Sequence, residues 1–169
     1  MKKFIVLSLV LLMLAGFAIA SSAQPVTVTL FADQTLPVGI LTVEVVGVNL
    51  EVTYEITNSE WELLETHLYV GTAAPKKSAP GQFPYGPESP EYAVIGDDVV
   101  YTIDLADFAG ILYIAAQAEI GMIDEFGDPV LDPITGLQIE ETAWAIGEGS
   151  ICIPPCKNWA MYFTFTLED

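Results

Sequence analysis

From residue 26 onward, apolar and polar residues alternate with a period of two, and that rhythm excludes most of the ways this chain could fold. In Asn49-Leu50-Glu51-Val52-Thr53-Tyr54-Glu55-Ile56, the residues Leu50, Val52, Tyr54 and Ile56 share one side. Glu51, Thr53 and Glu55 take the other, which is the pattern of a strand with one buried face. The run 40–46 reads as its hairpin partner, with Gly47-Val48-Asn49 as the turn. Near the end of the chain Trp159, Met161, Phe163, Phe165 and Leu167 fall on one face. Further strands are expected at 26–31, 63–70, 99–105, 111–120 and 140–146, mostly filled by β-branched and aromatic residues. No long segment beyond residue 23 carries a helical stripe. About eight strands in a chain of this length predict an all-β fold, an antiparallel β-sandwich or jelly roll.

The preceding residues 1–23 have a different grammar. Lys2 and Lys3 are followed by an apolar run over 4–20, and then by Ser21-Ser22-Ala23. A basic start, an apolar centre and small residues at the end form a secretory signal peptide, cleaved after Ala23. The expected mature protein is one domain, 24–169, secreted to the extracellular space or cell surface. It meets the membrane only through the signal peptide before cleavage. With Lys2 and Lys3 removed, three lysines stand against 23 acidic residues, a formal charge of −20 compared with −18 for the full chain. Such a surface repels nucleic acid and anionic lipid and attracts cations. Disorder does not fit, because 52% of the residues are hydrophobic. Cys152 and Cys156 are the two cysteines, and in an exported chain they are expected to pair as a small-loop disulfide.

Two stretches read as loops. The first, 73–90, contains Pro75, Pro80, Pro84, Pro87 and Pro90, and is long enough for a working or assembly surface. The second, 124–135, is an acidic excursion between two strands. Its Asp124, Glu125, Asp128 and Asp132 are candidate oxygen ligands for Ca²⁺, without the spacing of an EF-hand. Asp97 and Asp98 mark a turn.

Strand parity also brings together a polar face. Glu65, His67 and Tyr69 lie on one side of their strand, and Tyr113, Ala115, Gln117 and Glu119 on one side of theirs. If the two strands are neighbours, Glu65, His67, Gln117 and Glu119 cluster, with Glu141 and Trp144 at an edge. One imidazole among carboxylates suits a divalent cation, and Glu65 with Glu119 suits an acid and base pair for hydrolysis. The same residues also make a structural hydrogen-bond network. His67 is the only histidine, which excludes a multi-histidine zinc site. No nucleophile elbow, phosphate-binding glycine loop or dinucleotide fingerprint occurs. Trp61, Tyr85, Tyr92 and Trp144 could stack on sugars if exposed.

Several phrases together resemble a widespread family of exported prokaryotic β-sandwich domains. They are Leu-Pro-Val-Gly at 36–39, Glu-Thr-His-Leu at 65–68, Pro-Gly-Gln-Phe-Pro-Tyr at 80–85, Leu-Tyr-Ile-Ala-Ala at 112–116, Glu-Thr-Ala-Trp-Ala at 141–145 and Asn-Trp-Ala-x-Tyr-Phe at 158–163. The resemblance implies an extracellular sandwich and carries over no catalytic residue. Where that family has His after its Leu-Tyr-Ile-Ala-Ala phrase, this chain has Gln117, which removes one ligand of any paired-histidine site.

The resulting expectation is a non-catalytic surface or extracellular-matrix module, a cation-assisted filament or tube subunit whose partner is itself or an extracellular glycan or protein. In one form of it, the run 24–31 adds to a neighbour's sheet edge. The alternatives are a carbohydrate- or Ca²⁺-binding module and a hydrolase using Glu65, His67 and Glu119.

Overall fold

The structure, a computed structural model, describes residues 24–151 and 159–168. The expected signal peptide at 1–23 and the Cys152–Cys156 pair lie outside the described residues. The fold is all-β and antiparallel. In chain order the strands are β1 (Val26–Ala32), β2 (Leu36–Val46), β3 (Asn49–Ile56), β4 (Trp61–Gly71) and β5 (Tyr92–Ile95), followed by β6 (Asp98–Asp104), β7 (Ile111–Met122), β8 (Glu140–Ala145), β9 (Gly149–Ser150) and β10 (Met161–Thr166). The only helical element among the described residues is a 3₁₀ turn, Pro80–Gln82. All ten strands join one hydrogen-bonded sheet, in the order β5-β6-β3-β2-β1-β8-β7-β10-β9, with β4 on the other side of β7.

The alternating segments became strands within a residue or two of the expected bounds, except that β2 begins earlier, at Leu36. The β2–β3 hairpin turns through Gly47, whose φ of 63° suits a residue without a Cβ. Between β1 and β2, Asp33 and Gln34 both take positive φ and the Thr35 N–H reaches the Ala32 carbonyl, a type I′ turn. β5 and β9 escaped the alternation argument because they are four and two residues long.

β1 pairs with β2 along one edge and with β8 along the other, through Leu30↔Ala145, Phe31↔Trp144 and Ala32↔Ala143. The run 24–31, expected to add to a neighbour's sheet, thus pairs with β2 along one edge and with β8 only at its end. β1 is the seam between the β5-β6-β3-β2 half of the sheet and the β8-β7-β4 half, and its β8-side edge is paired only from Thr29 to Ala32.

One buried cluster gathers the inward residues of both halves, including Leu41, Val52, Tyr54, Leu68, Ile103, Ile114 and Ile120. The sheet closes over it through two tyrosines. On β3 the Tyr54 hydroxyl donates to the His67 carbonyl on β4 at 3.1 Å. On β6 the Tyr101 hydroxyl donates to the Thr66 carbonyl at 3.0 Å, while the Thr66 hydroxyl lies 2.8 Å from the same phenol and can donate back to it. Burial pushes the Tyr101 hydroxyl up to about 12, and burial followed by the neighbouring Tyr101 raises Tyr54 well above its usual range. Both phenols therefore remain protonated donors at ordinary pH.

Tyr101→Phe removes both links and strands the buried Thr66 oxygens. The expected loss is about 1–3 kcal/mol of stability by urea titration. A midpoint equal to that of the wild type contradicts the closure described here.

Candidate functional site

A bulge decides which side chains β4 shows on its outer face. The register with β7 shifts between Leu63 and Glu65, leaving Leu64 unpaired. Trp61 and Leu63 face inward before the bulge, and Thr66, Leu68 and Val70 after it. The extra residue thus re-aims Glu65, His67 and Tyr69 to the outer face. There the ladders align His67 with Gln117 and Trp144, and Glu65 with Glu119 and Thr142.

These partners form a connected network. His67 Nε2 lies 3.3 Å from Glu65 Oε1, and its Nδ1 lies 3.0 Å from Gln117 Oε1. The Gln117 amide then donates to Glu119 Oε1 at 2.7 Å. With Gln117 Oε1 as an acceptor, the imidazole carries its proton on Nδ1 whatever the state of Nε2. The Thr142 hydroxyl lies 3.2 Å from each oxygen of Glu119 and donates to that carboxylate. Gln117 is 0% exposed although it stands on the outer face. A polar side chain can be held there only because both ends of its amide are engaged.

The cover comes from the Pro-rich loop. Tyr85 pairs with Leu68 through two backbone hydrogen bonds of 2.8 and 3.2 Å, closing the free edge of β4. Phe83 lies over the face, 5.9 Å from the Tyr69 ring and 6.1 Å from Trp144 between centroids. Gly86 packs on the imidazole, where an added Cβ would sit 3.4 Å from Cδ2. A second apolar cluster of Ala115, Trp144, Ile151 and Ala160 completes the cover.

Glu65, His67, Gln117 and Glu119 are therefore brought together as the sequence suggests. Glu141 is not. It pairs with Ile120, an inward residue, so it stands on the opposite side of β8 from Trp144. Adjacent parity settles this, since 141 and 144 cannot share a face of a regular strand. The residues that do join from β8 are Thr142, through its hydroxyl, and Glu140, whose charge acts on Glu119. Counting in twos back from Trp144 would have found both. Trp61 and Trp144 are buried, so they form no exposed stacking platform.

Between the loop and β4 lies an open cleft of about 540 Å³, bordered by Glu65, His67, Tyr85, Glu88 and Glu91. Glu119 does not line it. Its carboxylate turns toward Thr142 and Gln117, so Glu65 and Glu119 do not face a common substrate space as the hydrolytic arrangement requires. Burial raises the Glu119 carboxyl above its usual range; bonds from Thr142 and Gln117 oppose this, and the charges of Glu140 and Glu65 add to it.

The acidic excursion forms two hairpins. Three backbone bonds form a closed ring at its base: Met122 N–H to Ile139 O, Ile139 N–H to Val130 O, and Val130 N–H to Met122 O, at 2.8, 2.9 and 2.9 Å. From this junction project two short hairpins, with bridges Ile123↔Pro129 and Leu131↔Gln138. Asp124 Oδ1 accepts the N–H groups of Phe126 and Asp128, and Asp132 Oδ1 those of Ile134 and Thr135. These bonds from Thr135 and Ile134 hold the Asp132 carboxyl below its usual range. Asp124 and Asp132 thus serve as turn caps. Among the described residues no group of three or more His, Cys, Asp or Glu side chains is placed to hold a metal ion. Of the four expected Ca²⁺ ligands, Asp124, Glu125 and Asp128 stand on the first hairpin and Asp132 at the turn of the second.

In comparisons with protein families, curated proteins and solved structures, nothing matches this chain.

The raised Glu119 carboxyl fixes a sign. The folded state keeps this proton to higher pH than the unfolded chain. Its contribution to stability is complete below the ordinary value of 4.5 and is lost as pH rises through the folded value. Glu119→Gln should therefore flatten the fall in stability as pH rises above the ordinary carboxyl value of 4.5, and unfold no more easily at neutral pH, in urea titrations. A variant much weaker than the wild type at neutral pH contradicts this. Gln117→Ala, by contrast, opens a buried gap and removes one hydrogen-bond partner each from His67 and Glu119, for an expected loss of about 1–3 kcal/mol.

Proposed function

We propose that this chain is a secreted, non-catalytic surface or matrix module that assembles with further subunits. The supporting observation is where its large apolar side chains meet water. Phe126 is 81% exposed, Ile134 92% and Leu137 70%, all on the two hairpins that project from the end of β7 and β8. Ile134 and Phe126 are the two most exposed large apolar side chains among the described residues; Val48, Val94 and Ile95 are exposed at other turns. Side chains of this kind on backbone-braced projections suit a contact surface better than a solvated one. The acidic surface supplies solubility until that contact forms.

The fold reading belongs here too. With Tyr54 and Tyr101 reaching across to β4, the sheet is best understood as a β-sandwich whose halves share β1 as a seam. Cleavage after Ala23 would begin the mature chain just before β1, in keeping with export. The resemblance to exported prokaryotic sandwich domains points the same way.

A second reading rests on the open cleft beside Glu65 and His67, which suits a small polar ligand such as a glycan. It makes the chain a binding module, and a glycan array without hits counts against it. In the hydrolase alternative, Glu65 works from the same cleft without Glu119.

The assembly reading predicts that sedimentation velocity across a concentration series shows mass growing with concentration. A single monomer boundary throughout would remove it.

A further inference from the structure

Two features stand beyond opposite ends of the β4–β7 ladder. The β4–β7 ladder runs from Trp61↔Met122 to Gly71↔Tyr113. At a strand rise of roughly 3.3 Å per residue it spans about 30 Å. The hairpin 131–138 projects beyond the Met122 end. Its Leu131, Ile134 and Leu137 are exposed, and Asp132 stands at its turn. Its base is fixed to β4 by Gln138, whose amide donates to Glu62 Oε1 at 2.8 Å. Beyond the Gly71 end, the first part of the Pro-rich loop forms a cleft of about 480 Å³ lined by Tyr69, Pro75 and Phe83, with Lys76 and Lys77 beside them.

Charge makes this cleft unlike the rest of the surface. Lys76 and Lys77 are the only Lys or Arg among the described residues. Both are exposed, and neither forms an ion pair among the described residues. On so acidic a chain they mark the one described place where an acidic, apolar-tipped element of another copy is attracted instead of repelled. The hairpin is such an element. Its turn bonds hold it rigid, so docking it costs little conformational entropy.

Resting on the assembly reading above, we propose that the 131–138 hairpin of one copy seats Ile134 in the Tyr69–Pro75–Phe83 cleft of the next, with Lys76 and Lys77 facing Asp128 and Asp132. Hairpin and cleft lie at opposite ends of one ladder, so the contact is head-to-tail. A heterologous contact of this kind closes into a ring or continues as a filament. It needs neither a bound metal nor the release of β1 from its own sheet.

The test uses protein purified after expression of the full chain, followed by sedimentation velocity and negative-stain imaging. Two variants carry it: Ile134→Asp, which spoils the hairpin, and Lys76→Glu with Lys77→Glu, which spoils the cleft. All three positions are exposed, so thermal unfolding should match the wild type. Each variant alone should need at least tenfold higher concentration to assemble. Mixed in equal amounts, they should form pairs that grow no further, because each supplies the half the other lacks. Variants that assemble like the wild type, or a mixture that stays monomeric while each variant alone is impaired, overturn this contact and leave the assembly reading standing. A wild type that never assembles overturns both.

Discussion

β7 is buried on both faces, and the rest of the structure is arranged around that constraint. Its inward Leu112, Ile114, Ala116, Ala118 and Ile120 pack in the main core, and its outward Ala115 and Gln117 are fully covered as well. A strand buried on both sides needs paired edges and two apolar covers. β4 occupies one edge along almost its whole length, while β10 and β8 divide the other. The alanines let both covers approach closely. Gln117 is the exception among them, and the network from Glu65 through His67 to Glu119 and Thr142 exists in its surroundings because an amide cannot be buried there unpaired.

This dependence gives the outer face a structural meaning. His67 links the strand network to the loop through Gly86, and Phe83 fastens the same loop over Trp144. The polar cluster thereby braces the Pro-rich loop, and the loop in turn shapes both the cleft at Glu65 and the one at Lys76. Chemistry-bearing side chains here are spent largely on one another. The two most exposed large apolar side chains, Ile134 and Phe126, stand on two hairpins held by a ring of three backbone hydrogen bonds at Met122, Val130 and Ile139.

Strand positions and facing were legible because period two is a local property: β3, β7 and β10 show the expected inward sets at Leu50–Tyr54, Leu112–Ile120 and Phe163–Phe165. The clustering of Glu65, His67, Gln117 and Glu119 followed from parity once β4 and β7 were taken as neighbours. The depth at which Gln117 lies did not, since its cover includes Phe83, Trp144 and Ile151, all distant in sequence. The bulge at Leu64 shows in the sequence only as a switch of inward parity, from Trp61 and Leu63 to Thr66, Leu68 and Val70. The acidic excursion can be read in two ways for a chemical reason. Aspartate serves equally as a cation ligand and as a turn cap, and Asp124 with Gly127 and Asp132 with Gly136 are spaced for turns.

The account divides the molecule into a braced outer face and a projecting contact end, and amide hydrogen exchange compared between dilute and assembled protein tests that division most directly. It predicts new protection at 131–138 and 73–77 on assembly, with the amides of 115–119 strongly protected in both states and unchanged. New protection centred on 80–91 or on β5, with 131–138 exchanging as before, would contradict it.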